Sequence, residues 1–583
     1  MPQIPFRSLS LALLALPFAG VLPAAAWAQP VALLAPAQDA ATLVRTGREH
    51  LDAGRFDAAR EAFVAALELA PSPAHQLWVW RADVGMGQHD RVLGEASSKR
   101  RSGERGPEMD FAVGMALLAK CELQIAQGSS GQVGLLLDDA LASLKDAMAA
   151  SEGKGDLGDG YVLLARAAHL SGNPEEALVA ARRAQELFPD AVEPRVLRGK
   201  AALAQVRAKE DAGDAAAAKE LLAEAVEALS SAVERLGAAK EPAQQTMAAE
   251  TLVQLGYAHE FAKEPKLADE AYVSALAHAP DAVDLGALHG VLGAERFLGV
   301  LERGAAAFAK RNGARDPRDA TLLWWLGWAN LTSDESKRLP AAEEAFLAAV
   351  EKWPGYVNSW YYLFRVRYNQ ENWLGAKEAL ERYTQLAEDG LIDTLRRGGE
   401  LELARVEFLV ARFVNAGPER LPDAAWVSEF LARATPPDAT EDVARHWNNA
   451  GLFWRDAGDS RGGRNSKVRG DEERYAPLAE MYERSWKAYS KALELDPENP
   501  AFLNDGAVLL HYNLQRDYEL ALEMYAKATV EAEKRLAGEG LSTELRGIYQ
   551  LALRDSVNNR KLLEAQIEKE KRDREKEEEK KGT

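Results

Sequence analysis

The chain has 583 residues, 47% of them hydrophobic and 28% charged, and carries a formal net charge of −19. That mixture can bury a sizeable core, which excludes global disorder. The negative field repels nucleic-acid phosphates and anionic lipid surfaces, so no nucleic acid is expected among its partners.

The first residues, MPQIPFRSLSLALLALPFAGVLPAAAWAQP, hold one basic residue, Arg7, an apolar run from Leu9 to Leu22, and a small-x-small end at Ala26-Trp27-Ala28. This pattern reads as a bacterial-type secretory signal peptide over residues 1–28, cleaved on export. The run is shorter than the roughly 20 apolar residues that cross a bilayer, and Pro17 interrupts it. The mature chain is therefore expected to be periplasmic or extracellular and to have no membrane span. Residues 29–39 read as a short linker.

From Ala41 to Pro71, ATLVRTGREHLDAGRFDAAREAFVAALELAP contains two helical patterns broken at Asp52-Ala53-Gly54. Gly47 lies in the first, while Ala59, Phe63 and Ala66 share a face of the second at spacings of four and three. Small residues let two antiparallel helices approach closely, and Phe63 fills the space beyond the contact. Pro71 then closes the unit.

The same spelling recurs with Ala165, Gly172, Ala177, Ala184 and Pro189; with Gly256, Ala268, Tyr272, Ala275 and Pro280; with Gly327, Ala342, Phe346, Ala349 and Pro354; and in YERSWKAYSKALELDP, ending at Pro497. An aromatic residue placed to pack inside its own hairpin stands at Tyr161, Trp360, Trp447 and Phe502. These segments resemble tetratricopeptide repeats, helix-turn-helix units of roughly 34 residues with small residues at the helix contacts and a closing proline. The resemblance implies an all-α, right-handed α-solenoid. Degenerate repeats at 74–107, 110–150, 284–312 and 396–435 keep helical periodicity without the small-residue pattern. An N-terminal solenoid is expected over 40–315 and a C-terminal one over 316–560. Within the second, GDSRGGRNSKVRGDEER (458–474) reads as an inserted surface loop, too polar and glycine-rich to pack. Residues 561–583 are expected to form a Glu/Lys-rich tail, whose end, EKEKRDREKEEEKKGT, lacks an apolar stripe and reads as a solvated helix or a disordered segment.

Chemistry is hard to find. Nine histidines are scattered singly, and no His-Glu-x-x-His pair, cysteine pair or Gly-Lys-Ser/Thr loop occurs. No metal, cofactor or catalytic residue is expected. The sole cysteine, Cys121, reads as a small buried hydrophobe. Gly458-Asp459-Ser460-Arg461-Gly462 fits the Gly-x-Ser-x-Gly elbow of serine hydrolases, but no apolar strand precedes it.

Of thirteen tryptophans, ten fall between Trp324 and Trp486, and LLWWLGWAN puts three into five residues. Helical neighbours differ by about 100°, so Trp324 and Trp328 share a face and Trp325 does not. In tetratricopeptide repeats the positions three before and one after the small contact residue line the concave surface. The resemblance therefore places Trp324 and Trp328 there, and the same offsets give Tyr361, Arg365 and Tyr368, then Asn448 and Arg455. Trp325, Trp360 and Trp447 are read as core. Aromatic residues and arginine dominate interface energies, and asparagine can bond a peptide backbone. The expected function is a non-enzymatic exported scaffold that binds a protein partner, as an extended peptide or helix, with Arg365 and Arg455 pairing acidic groups on it. The alternative is a polysaccharide-export accessory protein whose aromatic groove stacks on glycan rings.

Overall fold

The computed structural model describes residues 39–128, 133–151, 157–237, 240–333, 336–386 and 400–582. The expected signal peptide and nearly all of the expected linker lie outside them. Among the described residues the structure is helical, without strands. The chain divides into two compact units, one ending at Ser333 and the other beginning at Asp334. That boundary falls inside the stretch read as the Gly327–Pro354 repeat.

The first unit contains α1 Ala40–Asp52, α2 Phe56–Leu69, α3 Pro73–Gly85, α4 His89–Arg101, α5 Pro107–Ala126, α6 Val133–Ser151, α7 Gly160–Leu170, α8 Pro174–Leu187, α9 Glu193–Asp211, α10 Ala215–Leu236, α11 Pro242–Phe261, α12 Pro265–His278, α13 Leu285–Asn312 and α14 Ala320–Thr332. The second contains α15 Leu339–Lys352, α16 Val357–Asn369, α17 Trp373–Leu386, α18 Glu400–Ala416, α19 Leu421–Ala434, α20 Thr440–Ser460, α21 Ser466–Arg469, α22 Glu472–Leu495, α23 Pro500–Val508, α24 Tyr518–Ala537 and α25 Thr543–Gly582. A π-helical turn, Leu509–Leu514, follows α23.

Local sequence explains the boundaries. Asp39, Ser72, Asn173, Asp214, Asp284 and Asp471 each accept a hydrogen bond from a main-chain N–H of the helix they precede. Proline stands in the first turn of α3, α5, α8, α11 and α23, where its missing N–H costs nothing. Within α13 the backbone breaks at Gly293, whose φ of 71° a side chain would resist.

Several hairpins close by setting a side chain of the second helix against a glycine of the first. A Cβ on Gly47 would lie 2.4 Å from Phe63 Cε1, and one on Gly256 would lie 2.2 Å from Tyr272 Cε1. In α9 and α10 the pair is Gly199 and Leu229, at 2.5 Å; in α20 and α22 it is Gly451 and Tyr489, at 2.6 Å. The rings so enclosed, Phe63, Tyr272 and Tyr489, are 0% exposed. Burying each contributes about 1.5–3 kcal/mol, so the interlock is a large local term.

In the first unit, consecutive first helices (α1, α3, α5, α7, α9 and α11) touch one another, and their second helices do so far less. This stack therefore bends with its first helices on the inner side. Side chains on that face are polar as well as apolar: Arg166 of α7 bonds both Glu122 of α5 and Glu193 of α9.

Gly256→Ala is expected to destabilise the chain by about 1–3 kcal/mol, since the new methyl group overpacks against Tyr272. Gly290→Ala serves as the control, because its Cβ meets nothing within 4 Å and gains about 0.5–1 kcal/mol of helix propensity. Urea denaturation of both variants distinguishes the interlock from ordinary helical glycines.

Candidate functional site: the first-helix faces

The seven residues expected to line a groove are divided between the two units. Trp324 and Trp328 lie on α14 in the first, with Leu322, Gly327 and Ala329 of the same helix buried. Both indoles are half-buried. Trp325, assigned to the core, is half-buried too and touches each of them edge-on, with ring centroids 5.2 Å apart in both cases. Trp328 also meets the His289 ring of α13 edge-on at 5.2 Å, and Trp325 meets Phe297 at 5.8 Å. The three tryptophans thus form one cluster with α13 beneath it. Residue spacing along α14 separates them, but the neighbouring helix brings them together.

In the second unit Tyr361, Arg365 and Tyr368 of α16 are likewise half-buried. Tyr361 contacts Tyr383 and the fully buried Phe364, Arg365 lies over Tyr362 at 5.6 Å, and Tyr368 meets Trp373 and Phe408.

Asn448 and Arg455 of α20 converge on a residue that sequence offsets missed, Asp505 of α23. Asn448 Nδ2 donates to Asp505 Oδ2 at 3.2 Å. Arg455 Nε donates to Asp456 Oδ1 at 2.9 Å, and its Nη1 lies 3.8 Å from Asp505 Oδ1. The expectation that Arg455 pairs an acidic group on a partner is therefore corrected: two carboxylates of its own chain already compensate it. Burial works against its charge, but Asp505 and Asp456 outweigh that effect and hold it firmly. Burial pushes the Asp505 carboxyl above the ordinary carboxylate range, while Arg455 and the Asn448 bond act against that shift. Asp505 stands one residue before the small contact residue Gly506, an offset that the three-before, one-after rule passes over.

Two buried polar atoms in this cluster have no hydrogen-bond partner in the chain: Asn448 Oδ1 and the Tyr489 hydroxyl. Asn448 is 8% exposed and Tyr489 is 0% exposed. Leaving such an atom unsatisfied costs about 1–3 kcal/mol.

A tetratricopeptide repeat family model matches residues 40–73, covering α1, α2 and the turn after them. The glycine–ring interlock of that hairpin recurs along both units. The chain thus carries a tetratricopeptide repeat at residues 40–73. Among solved structures, the Rap protein complexed with competence and sporulation factor is 13% identical over 78% of this chain and 99% of its own, with a TM-score of 0.29. Yeast Tom70 is 13% identical over 91% and 99%, at 0.18. The Cut9–Hcn1 hetero-tetramer of APC/C matches at 12% over 88% and 96%, at 0.23. These likenesses concern the helical fold alone. No curated protein sequence matches the chain.

In this repeat protein the segment read as an inserted loop (458–474) is packed, not free. Gly458 to Ser460 finish α20, and Ser466–Arg469 form α21 with Val468 buried. Asp459 accepts from the Tyr482 hydroxyl at 2.8 Å and from Asn513 Nδ2 at 2.5 Å, and pairs with Arg464 at 2.7 Å. Arg469 donates to the carbonyls of Gly463, Tyr512 and Asn513. The segment is polar, yet what it packs on is also polar: carbonyls of the π-helical turn, which lack the ordinary helical ladder. Ser460 sits at a helix end, its Oγ donating to Ala457 O at 2.9 Å, so the elbow geometry is absent here. Cys121 is fully buried, and burial raises its thiol to about 11. Among the described residues no group of His, Cys, Asp or Glu is placed to hold a metal ion, and no helix is long and apolar enough to cross a membrane.

Two outcomes follow from this geometry. With its thiol neutral below about pH 11, Cys121 should resist iodoacetamide at pH 8 in the native chain and react on unfolding in urea. Asp459→Ala should expose 461–471 to trypsin roughly tenfold faster, with far-UV circular dichroism unchanged.

Proposed function

We propose that this chain is a non-enzymatic scaffold that binds a protein partner, as an extended segment or a helix, along the first-helix faces of its repeats. The observation that carries this reading is a division among the aromatic residues. Rings that close hairpins, such as Phe63, Tyr272 and Tyr489, are sealed at 0% exposure. Trp324, Trp328, Tyr361 and Tyr368 take no part in those interlocks and stay half-buried. A half-buried ring keeps apolar area in reserve for a partner, and rigid aromatics order at low entropic cost on binding. The reading includes export from the cytoplasm, on the strength of the leader expected over residues 1–28.

Because these residues sit in two units, each set needs its own test. Capture of partners from envelope extract with wild type, Trp324→Ala/Trp328→Ala and Tyr361→Ala/Tyr368→Ala identifies which unit binds. At least one double variant should lose roughly tenfold or more in affinity. Trp328 packs on His289 and Trp325, so Trp328→Ala also costs about 1–2 kcal/mol of stability. Trp328→Phe, which keeps an aromatic ring in that packing, should melt close to wild type and bind more weakly. Undiminished capture by both double variants refutes the aromatic site.

A further inference from the structure

The recess around Asp505 is built for a positive charge. Its charged members are Arg455, Asp456 and Asp505, which sum to one net negative charge, and Asp555 of α25 adds to the negative field felt at Asp505. Asp555 has its own cation, Arg554 Nε at 3.0 Å, so it is partly neutralised from outside the recess. The Asp505 side chain keeps 24% of its surface open and Arg455 14%, so the group is recessed and still reachable. Into it points an amide that is more than nine-tenths buried: Asn448 Nδ2 is fixed on Asp505, which leaves Oδ1 of the same amide beside the carboxylate with no partner in the chain. The free capacity is thus that of acceptors, on a carboxylate and an amide oxygen.

We propose that this recess is a cation subsite that takes the ammonium or guanidinium group of a lysine or arginine side chain on the bound segment, a reading that rests on the peptide-binding proposal above. Such a head group is all donor and no acceptor, so it pairs with the open part of Asp505 and cancels the excess charge, and it satisfies Asn448 Oδ1 as well once it displaces the groups that cover that atom. A carboxylate guest would reach Arg455 only past Asp456 and Asp505, and would leave the Asn448 oxygen unpaired. A main-chain N–H would satisfy the amide but leave the charge. Specificity for a basic residue arises as much from this repulsion of acids as from attraction.

The test uses the full chain and random decapeptides selected on it from a display library. Selected peptides should share a Lys or Arg at one position. Replacing that Lys by norleucine, or that Arg by citrulline, should weaken binding to wild type about tenfold or more, but by less than about twofold for Asp505→Asn, a near-isosteric change. Asp505→Glu, which restores the charge, should recover part of the discrimination; circular dichroism and melting of both variants verify that they fold. Peptides without a basic position, or equal losses in wild type and Asp505→Asn, overturn the cation subsite and leave peptide binding intact. Failure of wild type to select any peptide overturns both.

Discussion

Hairpins in both units depend on a helix backbone coming close enough to its neighbour that one residue must have no side chain. Gly47, Gly199, Gly256 and Gly451 each stand where a Cβ would fall 2.2–2.6 Å from a carbon of Phe63, Leu229, Tyr272 or Tyr489. Such a fit works like a key: it fixes the rotation and register of the two helices at once, because a slip by one residue brings a methyl or larger group against the ring. Repeating it gives hairpins of similar shape, and hairpins of similar shape stack. Polar side chains on the first helices are then free of the task of holding the hairpin together.

The hairpins were largely legible in the sequence because the fit is local. Ala59, Phe63 and Ala66, and Ala268, Tyr272 and Ala275, lie within one helix, and all six are fully buried. What stayed hidden depends on residues far away along the chain. Helical spacing puts Trp325 on a different face from Trp324 and Trp328, yet α13 supplies Phe297 and His289 to gather all three. Arg455 looked available for an acidic partner because Asp505, 50 positions later, is invisible to any pattern within α20. The 458–474 segment looked unpackable because polar residues are poor core formers; its actual support is the set of carbonyls around Asn513, exposed only because the helix there widens to π.

The enrichment of tryptophan in the second unit has a structural explanation for four of its members. Arg412 lies over Trp373, Lys377 over Trp426, Lys491 over Trp447 and Arg484 over Trp454, at 4.8, 5.5, 3.9 and 3.8 Å from a ring centroid. In every case the cation belongs to a different helix from the indole. Trp454 is fastened twice, since its Nε1 also donates to Glu429 at 2.6 Å. Each pair contributes about 0.5–1 kcal/mol where exposed and more where desolvated, and adds a cross-helix link beside the apolar packing. These indoles act as staples, a role distinct from that of the α14 cluster, which packs ring against ring.

The last helix, α25, runs for 40 residues, about 60 Å at the usual rise. Its final fully buried side chain is Leu563, Ile567 still packs against the core, and from Lys571 to Glu578 every side chain is exposed. Past that point the helix is supported by pairs one turn apart, such as Arg574 with Glu570, each of which contributes only about 0.3–0.5 kcal/mol and is screened by salt. The docked half and the outer half therefore answer to different solvents' properties: one to the water-avoidance of leucine and tyrosine, the other to ionic strength. A single continuous helix ends as a polyelectrolyte whose order follows the salt around it while the repeats behind it do not.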